Sequence, residues 1–189
     1  FSTNVKPIEF EKNGGWEIEF PKCIATLIAL VGSPVGKKVF LPFKIPEWVK
    51  NGENKIKIAF IRALFDDEGW VKVKFIKQSS STQRMIGLNM SKNEKHIKEH
   101  VFFLEDIRRF LFDLGINSSK IKEMGKTKNG ISMGFIISNL TNLKNFLTKI
   151  GFNQRIKHQK LIDSLNNSKR FHELFPNESL INSKNLFKV

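Results

Sequence analysis

Three consecutive carboxylates, Asp66, Asp67 and Glu68, follow an apolar helical segment and directly precede Gly69. This order predicts that they lie at the C-terminal end of a helix, the negative end of its macrodipole, where carboxylates are unfavourable. The last carbonyl oxygens of a helix also lack partners within the helix. An oxygen-rich, negative position of this kind suits a hard divalent cation such as magnesium. A solvated acidic helix end, balanced by nearby lysines, is an equally good interpretation of the spacing alone.

The helix that carries these carboxylates is apolar on two sides. One face contains Ile56, Ala59, Phe60, Ala63 and Leu64, and a second face contains Ile58, Ile61 and Phe65. A helix that is apolar on two sides is buried on two sides. We therefore expect one face to pack on the protein's own sheet and the other to meet a partner. Ala59 and Ala63, spaced i and i+4, permit a second helix to approach closely.

Lysines alternate with apolar residues in the strand predicted at residues 70–77 and again at residues 119–124. The apolar face, with Val71, Val73 and Phe75, should pack under the helices and leave the lysine face open. Strand lysines contact phosphates, whereas amide side chains can bind base edges in the major groove. The residues expected to bind DNA are Lys72, Lys74, Gln78, Gln83, Asn89, Lys120, Lys122, Lys126 and Lys128. Lysines that only prevent strand pairing at an exposed edge are the alternative for any single residue.

The composition favours a polyanionic partner. The 189 residues contain 32 Lys and Arg against 18 Asp and Glu, a net charge of +14, which indicates nucleic acid before an anionic membrane. The longest apolar run, Cys23–Val31, is far shorter than the roughly 20 residues that span a bilayer. One cysteine excludes an internal disulfide and a multi-cysteine zinc site. No signal peptide is visible, so we expect an intracellular protein, cytoplasmic or nucleoid-associated.

The predicted elements form an α+β pattern. A strand at 16–20 and a helix at 22–31 are followed by a helix at 54–68, a hairpin at 70–90, a helix at 94–114, a hairpin at 119–137, and helices at 140–150 and 154–165. Three helices end in an aliphatic residue and glycine. We therefore divide the chain into the end of a preceding ββα unit with its connector (1–50), a main domain (51–165) and a C-terminal tail (166–189). The stripe assigned to residues 97, 101, 104, 107, 111 and 114 places His96 and His100 near the solvent edge of their helix.

Residues 61–69, with the sequence IRALFDDEG, resemble the LAGLIDADG motif of the homing endonucleases. The preceding Gly32-x-Pro34-x-Gly36-Lys37-Lys38 and Ile45–Trp48, with Ala59-Phe60 before the motif, resemble the lead-in of archaeal and intein-borne members. Leu114-Gly115-Ile116, Ile150-Gly151-Phe152 and Lys157 also fit. The resemblance implies an αββαββα unit with a saddle-shaped antiparallel sheet that straddles DNA, preceded by the remnant of another such unit.

The resemblance also implies residue roles. Glu68 would bind the catalytic Mg²⁺ (or another divalent cation), Asp67 would add its backbone carbonyl, and Lys157 would lie near the cleaved phosphate. The motif helices of two units would pair, and we assign Ala59, Ala63, Arg62 and Asp66 to that interface. Because one motif is recognisable, the resemblance implies that the partner is a second copy, an upstream second half, or a helix that has diverged beyond recognition. Alanine replaces the motif's usual glycine at position 63.

The function expected from these residues is sequence-specific, metal-dependent cleavage of double-stranded DNA. Two alternatives stay open. A non-cutting DNA- or RNA-binding protein on the same scaffold, such as a maturase or regulator, would use the basic sheet without hydrolysis. An interaction domain whose basic sheet only confers solubility would show no salt-dependent affinity for DNA.

Overall fold

The computed structural model describes residues 8–10, 15–17, 21–42, 44–79 and 81–176. It divides into two compact units, Phe1–Lys37 and Lys38–Val189. In the first unit, strands β1 (Ile8–Phe10) and β2 (Gly15–Glu17) pair antiparallel and helix α1 (Lys22–Leu30) follows. This is a ββα order, and its assignment to the end of a preceding LAGLIDADG unit stays a prediction. Residues 18–20 of the predicted first strand lie outside the described residues.

The second unit contains the main sheet and its helices. Its elements are α2 (Glu47–Lys50), α3 (Asn54–Asp67), β3 (Gly69–Ile76), β4 (Ser81–Lys92), α4 (Ile97–Asp113), β5 (Lys122–Thr127), β6 (Gly130–Ile137), α5 (Leu140–Lys149), α6 (Arg155–Asn166) and α7 (Lys169–Leu174). The strands form one antiparallel sheet in the order β3-β4-β6-β5. From α3 to α5 the order is αββαββα, so the predicted α+β fold is confirmed.

Helix α3 lies on one face of this sheet through its buried residues. Ile61 and Phe65 are fully buried. The Phe65 ring lies 4.9 Å from that of Phe146 on α5 and 6.4 Å from that of Phe135 on β6, measured between centroids. Burying such side chains contributes roughly 1.5–3 kcal/mol each. The packing therefore fixes the carboxyl end of α3 against the sheet.

Helix α4 buries Leu104, Ile107 and Leu111 of the predicted stripe, and its packed face extends beyond that stripe. Its buried residues include His100, Phe103 and Phe110, so the prediction that His100 lies near the solvent edge is wrong. His100 is 2% exposed, stacks on Phe103 and has Nε2 3.2 Å from the carbonyl oxygen of Met90. The predicted stripe contains aliphatic residues alone, whereas the packed face also uses phenylalanine and histidine. The helix also begins at Ile97 after a 3₁₀ turn at Glu94–His96.

The outer half of the β3–β4 hairpin is less covered than predicted. Val71 is 7% exposed, but Val73 and Phe75 on the same face are 40% and 59% exposed. The predicted burial of Val73 and Phe75 is therefore wrong, because the helices cover only the inner half of the hairpin. At the other end of the chain, Phe171 of α7 is fully buried, and its ring centroid lies 5.0 Å from that of Phe175. The first part of the predicted tail thus belongs to the packed unit.

Candidate metal centre and nucleic-acid interface

The acidic end of α3 is joined to the sheet without a loop. Helix α3 ends at Asp67, Glu68 is its C-cap, and Gly69 already begins β3. The Glu68 N–H donates to the carbonyl oxygen of Leu64 at 2.9 Å. A Cβ at Gly69 would lie 2.5 Å from the backbone oxygen of Phe65, so only glycine fits this position. The tight junction fixes the carboxylates at the start of β3.

Lys38 contributes a cation to this acidic end. Its ammonium group donates to Oε1 of Glu68 and, at 3.2 Å, to Oδ2 of Asp67. The Glu68 side chain is 19% exposed, whereas that of Asp67 is 72% exposed. Burial by itself lowers the pKa of Lys38, but hydrogen bonds to Glu68 and Asp67 and the charges of both carboxylates outweigh it and raise the pKa. The two carboxylates therefore already converge on one positive group.

A buried lysine holds the segment that carries Lys38. Residues Lys38–Phe40 form a 3₁₀ turn beside the end of β4. Lys92, 2% exposed, donates its ammonium hydrogens to the carbonyl oxygens of Lys38 and, at 2.9 Å, Leu41. Burial and the neighbouring charge of Lys38 lower the pKa of Lys92 to about 8, against an opposing effect of Glu68. Lys92 thus positions the backbone from which Lys38 reaches the carboxylates.

Lys157 lies at the same helix end. Its ammonium group donates to the carbonyl oxygens of Phe65 at 3.2 Å and Asp66 at 2.6 Å. Burial lowers the pKa of Lys157, although the carboxylates of Asp66, Asp67 and Glu68 oppose the shift. These carbonyls lie in the last turn of α3, where the Phe65 oxygen also accepts the backbone N–H of Glu68. Lys157, which the resemblance predicts to be catalytic, is a residue of α6, and the structure places it at the carboxyl end of α3.

Arg62 and Asp66 contact the α5–α6 connection of their own chain. The Asp66 carboxylate accepts hydrogen bonds from the backbone N–H groups of Asn153 and Gln154 at 3.1 Å. Nε of Arg62 donates to the carbonyl oxygen of Ile150. The assignment of these two residues to a helix-pairing interface stays a prediction, beside these contacts within the chain. The free N–H groups at the start of a helix attract a carboxylate, which explains the position of Asp66.

Ala59 and Ala63, in contrast, lie on an exposed face of α3 within the described chain. Their small side chains leave the backbone of α3 accessible to close approach by another helix. The opposite face of α3 is occupied by the core residues Ile61 and Phe65. The structure therefore leaves open to solvent the face that the sequence assigns to helix pairing.

The donor chemistry at the tip of α3 fits a hard divalent cation, but only in part. The carboxylates of Asp67 and Glu68 both reach the Lys38 ammonium, which marks a position where a positive charge is held. Within the described residues, no group of three or more His, Cys, Asp or Glu side chains is arranged to hold a metal ion. A cation that takes six or more oxygen ligands would therefore need further donors from backbone, water, phosphate or a second subunit.

The strand register places five of the predicted DNA-binding residues on one open face of the sheet. Lys74 pairs with Gln83, and Lys72 pairs with Met85. Asn89 and Lys122 both pair with Gly134 of β6, so they flank it on the same face. This face is opposite the one that carries the core residues Val71, Ile86 and Leu88. Lysines and amides thus line the open side of three strands.

A hydrogen-bonded chain of side chains crosses the middle of this face. Nε1 of Trp70 donates to Oδ1 of Asn89 at 2.6 Å, and Nδ2 of Asn89 donates to Oγ of Ser132 at 2.9 Å. The Trp70 ring lies over Gly87, where an added Cβ would overlap the ring. Glycine at position 87 is therefore what allows the indole to lie flat on β4. Asn89 is held in one orientation by partners on both sides.

The other predicted DNA contacts lie at the ends of the hairpins. Gln78 is in the 3₁₀ turn after β3, Lys128 is in the β5–β6 turn, and Lys120 precedes β5, which begins later than predicted. Lys126 pairs with Ile131, which itself pairs with Lys92. By register Lys126 therefore lies on the face opposite Asn89. All four side chains are exposed.

Two residues at the acidic end are not among the site residues expected from the sequence. Lys38 belongs to the glycine-rich lead-in, and Lys92 is the last residue of the returning strand. The lead-in itself is the signal for Lys38, because it precedes the motif at a defined spacing. Lys92 has no comparable signal, since its burial depends on the segment Lys38–Leu41 packed beside it.

The comparisons identify the family. A family model described as "LAGLIDADG-like domain" matches residues 55–151, about half of the chain. The chain therefore belongs to the LAGLIDADG family of DNA-endonuclease-like proteins. The matched range contains all of the motif helix α3 except its first residue, the acidic tip, and all four strands of the main sheet.

Curated relatives are much longer proteins. The tRNA-splicing ligases RtcB of Methanocaldococcus jannaschii and Methanopyrus kandleri are 33% and 28% identical over 132 and 131 residues. Each match covers 69% of this chain and 13% of the relative. The replication factor C small subunit of M. jannaschii is 30% identical over 105 residues, which are 56% of this chain and 5% of that protein. The chain thus spans about an eighth of the ligases it matches.

Solved structures with a similar arrangement include homing endonucleases. The archaeal intron-encoded I-Vdi141I, complexed with DNA, is 18% identical with a TM-score of 0.37, covering 65% of this chain and 68% of that one. I-CvuI in complex with its target is 15% identical with a TM-score of 0.42, covering 68% and 88%.

None of the helices in the described part of this chain combines the length and apolar composition needed to cross a membrane.

Proposed function

We propose that this chain is the LAGLIDADG domain of a sequence-specific endonuclease that hydrolyses double-stranded DNA with Mg²⁺ or another divalent cation. The observation that carries the proposal is the convergence of the Asp67 and Glu68 carboxylates on one positive group at the tip of the motif helix. This tip continues directly into β3, whose open face carries Lys72 and Lys74. Family membership gives the arrangement its interpretation.

Each part of the site has a distinct task in this proposal. Glu68 would hold the cation, with the backbone carbonyl of Asp67 as a further oxygen donor. A bound divalent cation supplies an activated water and stabilises the departing oxygen of the phosphodiester. Lys157 would offset negative charge beside the phosphate. The lysines of the open face would contact backbone phosphates. Gln83 would contact base edges, and so would the Asn89 amide through its remaining hydrogen-bonding positions.

Cleavage of both DNA strands requires two acidic helix ends. The exposed face with Ala59 and Ala63 would pair with the motif helix of a second copy, or of an upstream half in a longer chain. The ββα order of the first unit is compatible with the latter. The measurement that separates these partners is the mass of the particle in solution, because a symmetric pair doubles the mass of the chain.

The curated relatives support a domain whose activity is independent of the proteins that contain it. The match to the ligase and the match to the replication factor subunit each cover more than half of this chain, so the two matched segments overlap. The two relatives nevertheless have different functions. A segment shared by such different proteins does not account for either activity. This favours a mobile endonuclease module, associated with intron or intein mobility, over a ligase or a replication function for this chain.

A non-cutting DNA- or RNA-binding protein is the second candidate. One observation favours it: the Lys38 ammonium engages the oxygen of Glu68 that would bind metal. The basic sheet face would then bind nucleic acid while the acidic tip remains closed by an ion pair. Such a maturase-like or regulatory protein would need the lysine face but not Glu68.

A library screen distinguishes the two functions. The chain is incubated with random-sequence duplex DNA and Mg²⁺, beside Glu68→Gln and the control Glu53→Gln, which removes a carboxylate at the other end of α3. We expect cutting by the parent and the control and none by Glu68→Gln. Cutting that survives Glu68→Gln would remove Glu68 from its role, and binding without cutting would support the second candidate.

Affinity for DNA should also depend on salt. A protein that neutralises phosphates loses affinity linearly on a log–log scale, with a slope near −0.9 for each neutralised phosphate. Replacing Lys72 and Lys74 by alanine should make that slope shallower by about one for each phosphate that the variant no longer neutralises. Affinity that does not respond to salt would favour the interaction-domain alternative.

A further inference from the structure

Lys38 differs from the many surface lysines of this chain in what it touches. Its ammonium group bonds both Glu68 and Asp67, although 29 residues separate it from Asp67. Lys38 also lies 16 residues before the N-terminus of the helix whose carboxyl end it neutralises. The contact is therefore produced by folding and is not a neighbouring pair on one helix.

The backbone of Lys38 is fixed by the end of β4. The buried ammonium of Lys92 bonds the carbonyl oxygens of Lys38 and Leu41, and the N–H of Asn93 donates to the carbonyl oxygen of Val39 at 2.9 Å. These hydrogen bonds to the segment come from the side chain of Lys92, the last residue of β4, and from the backbone of Asn93, which follows it. A surface lysine without such anchoring would lose side-chain entropy and gain little from an ion pair. The anchoring lowers that entropic cost, because the start of the side chain is already in place.

The position of this cation makes it a competitor for metal. Oε1 of Glu68 cannot bind an ammonium group and a divalent cation at the same place, and the two positive charges repel each other. Conversely, the carboxylates at the negative end of a helix macrodipole repel one another when no cation is present. A lysine beside them relieves that repulsion in the absence of metal.

We propose that Lys38 is an internal, displaceable cation: it occupies Glu68 while no divalent metal is bound, and it must leave Glu68 for the metal to bind. This inference rests on the proposed function, since it concerns the same carboxylate. It assigns the positioning role to Lys92, which holds the backbone of Lys38. It also implies that metal affinity in the absence of DNA is weaker than the carboxylates alone would give.

The size of the effect follows from the exposure of the pair. Exposed ion pairs are worth about 0.2–1 kcal/mol, and the side chains of Lys38 and Glu68 are 48% and 19% exposed. Removing the competitor should therefore tighten metal binding by about 1.4- to five-fold at moderate salt, and less at high salt because the interaction is screened.

The test measures Mn²⁺ binding without DNA, by titration calorimetry or by the decrease of the free-ion paramagnetic resonance signal. The variants are Lys38→Met, the control Lys37→Met with the same change of charge at the adjacent exposed residue, and Lys38→Met combined with Glu68→Gln. We expect the tightening in Lys38→Met alone. In EDTA, Lys38→Met should also melt at a lower temperature than Lys37→Met. Added Mn²⁺ should then raise the melting temperature of Lys38→Met by more than it raises that of the parent.

Several outcomes would overturn the proposal. These are Mn²⁺ affinity in Lys38→Met equal to or weaker than that of Lys37→Met, tightening that survives Glu68→Gln, and no Mn²⁺ binding by any variant. The DNA-cutting screen is scored separately. Cutting with unchanged Mn²⁺ affinity would therefore reject the competitor role of Lys38 while leaving the endonuclease function in place.

Discussion

Asp66 and Asp67 are adjacent carboxylates that the structure places in different environments, and this difference gives a sharp prediction. Asp66 accepts hydrogen bonds from two backbone N–H groups, those of Asn153 and Gln154. Asp67 is largely exposed and contacts Lys38. We predict that Asp66→Ala destabilises the protein and that Asp67→Ala does so by much less.

The magnitude follows from the bonds that each change removes. Hydrogen bonds to a charged acceptor contribute about 1.5–3 kcal/mol, and removing a carboxylate from the end of α3 regains up to about 1 kcal/mol of unfavourable dipole interaction. The net cost of Asp66→Ala is therefore about 1–2 kcal/mol. Asp67→Ala removes one exposed ion pair and relieves the same dipole, so its effect should stay within about 0.5 kcal/mol.

The assay is urea unfolding followed by circular dichroism. With an m value of about 2 kcal/mol per molar urea, the midpoint of Asp66→Ala should fall by about 0.5–1 M with m unchanged. Measuring the three proteins at two concentrations tenfold apart separates an intrachain role from a pairing role. Equal midpoints for the two variants, or a destabilisation of Asp66→Ala that grows on dilution, would refute the stabilising role of the intrachain contact. The second outcome would support the predicted role of Asp66 in helix pairing.

Two further changes test the core and the open face. Burial and the nearby charge of Lys92 lower the pKa of His100 to about 4, although a hydrogen bond to Met90 opposes the shift. In the unfolded chain this histidine takes up its proton at the ordinary pKa of 6.5, so protons favour unfolding between these two values. Stability that is present above pH 6.5 is therefore lost as the pH falls toward 4. Moving from pH 7 to pH 5 should cost about 2 kcal/mol through this residue, and His100→Gln should show that much less pH dependence in urea titrations; identical pH profiles would contradict the assignment. Gly87→Ala places a Cβ against the Trp70 ring and should cost about 1–3 kcal/mol, with a changed tryptophan emission. The cost should largely disappear in a Trp70→Val background, and a cost that persists there would show that the ring is not its cause.

The elements with strong local signals can be predicted from the sequence. Asn139 is a favourable residue at the start of a helix, and its side chain accepts a hydrogen bond from the N–H of Thr141 at 2.8 Å. Alternation of lysine and apolar residues in β3 predicts correctly which residues share a face, because side chains alternate across any strand. Helix α3 and its acidic tip are likewise defined by helical spacing and by the glycine that follows.

The neighbours of the acidic tip are harder to predict. Lys38, Lys92 and Lys157 come from a 3₁₀ turn, the end of a strand and a later helix. Nothing in the local pattern of any of these segments indicates which carboxylate or carbonyl it will meet. The register of Lys126 is equally inaccessible, since a shift between Glu123 and Gly125 changes the face on which it lies.

The amino-acid sequence by itself determined the order of helices and strands, the basic sheet and the acidic end of the motif helix, because these depend on residues a few positions apart along the chain. Only the tertiary structure decided that Lys38 neutralises Glu68, that Asp66 holds the start of α6, and that His100 is buried. Those outcomes depend on which surfaces meet when the core around Phe65 closes, and side chains far apart in the chain become neighbours only then.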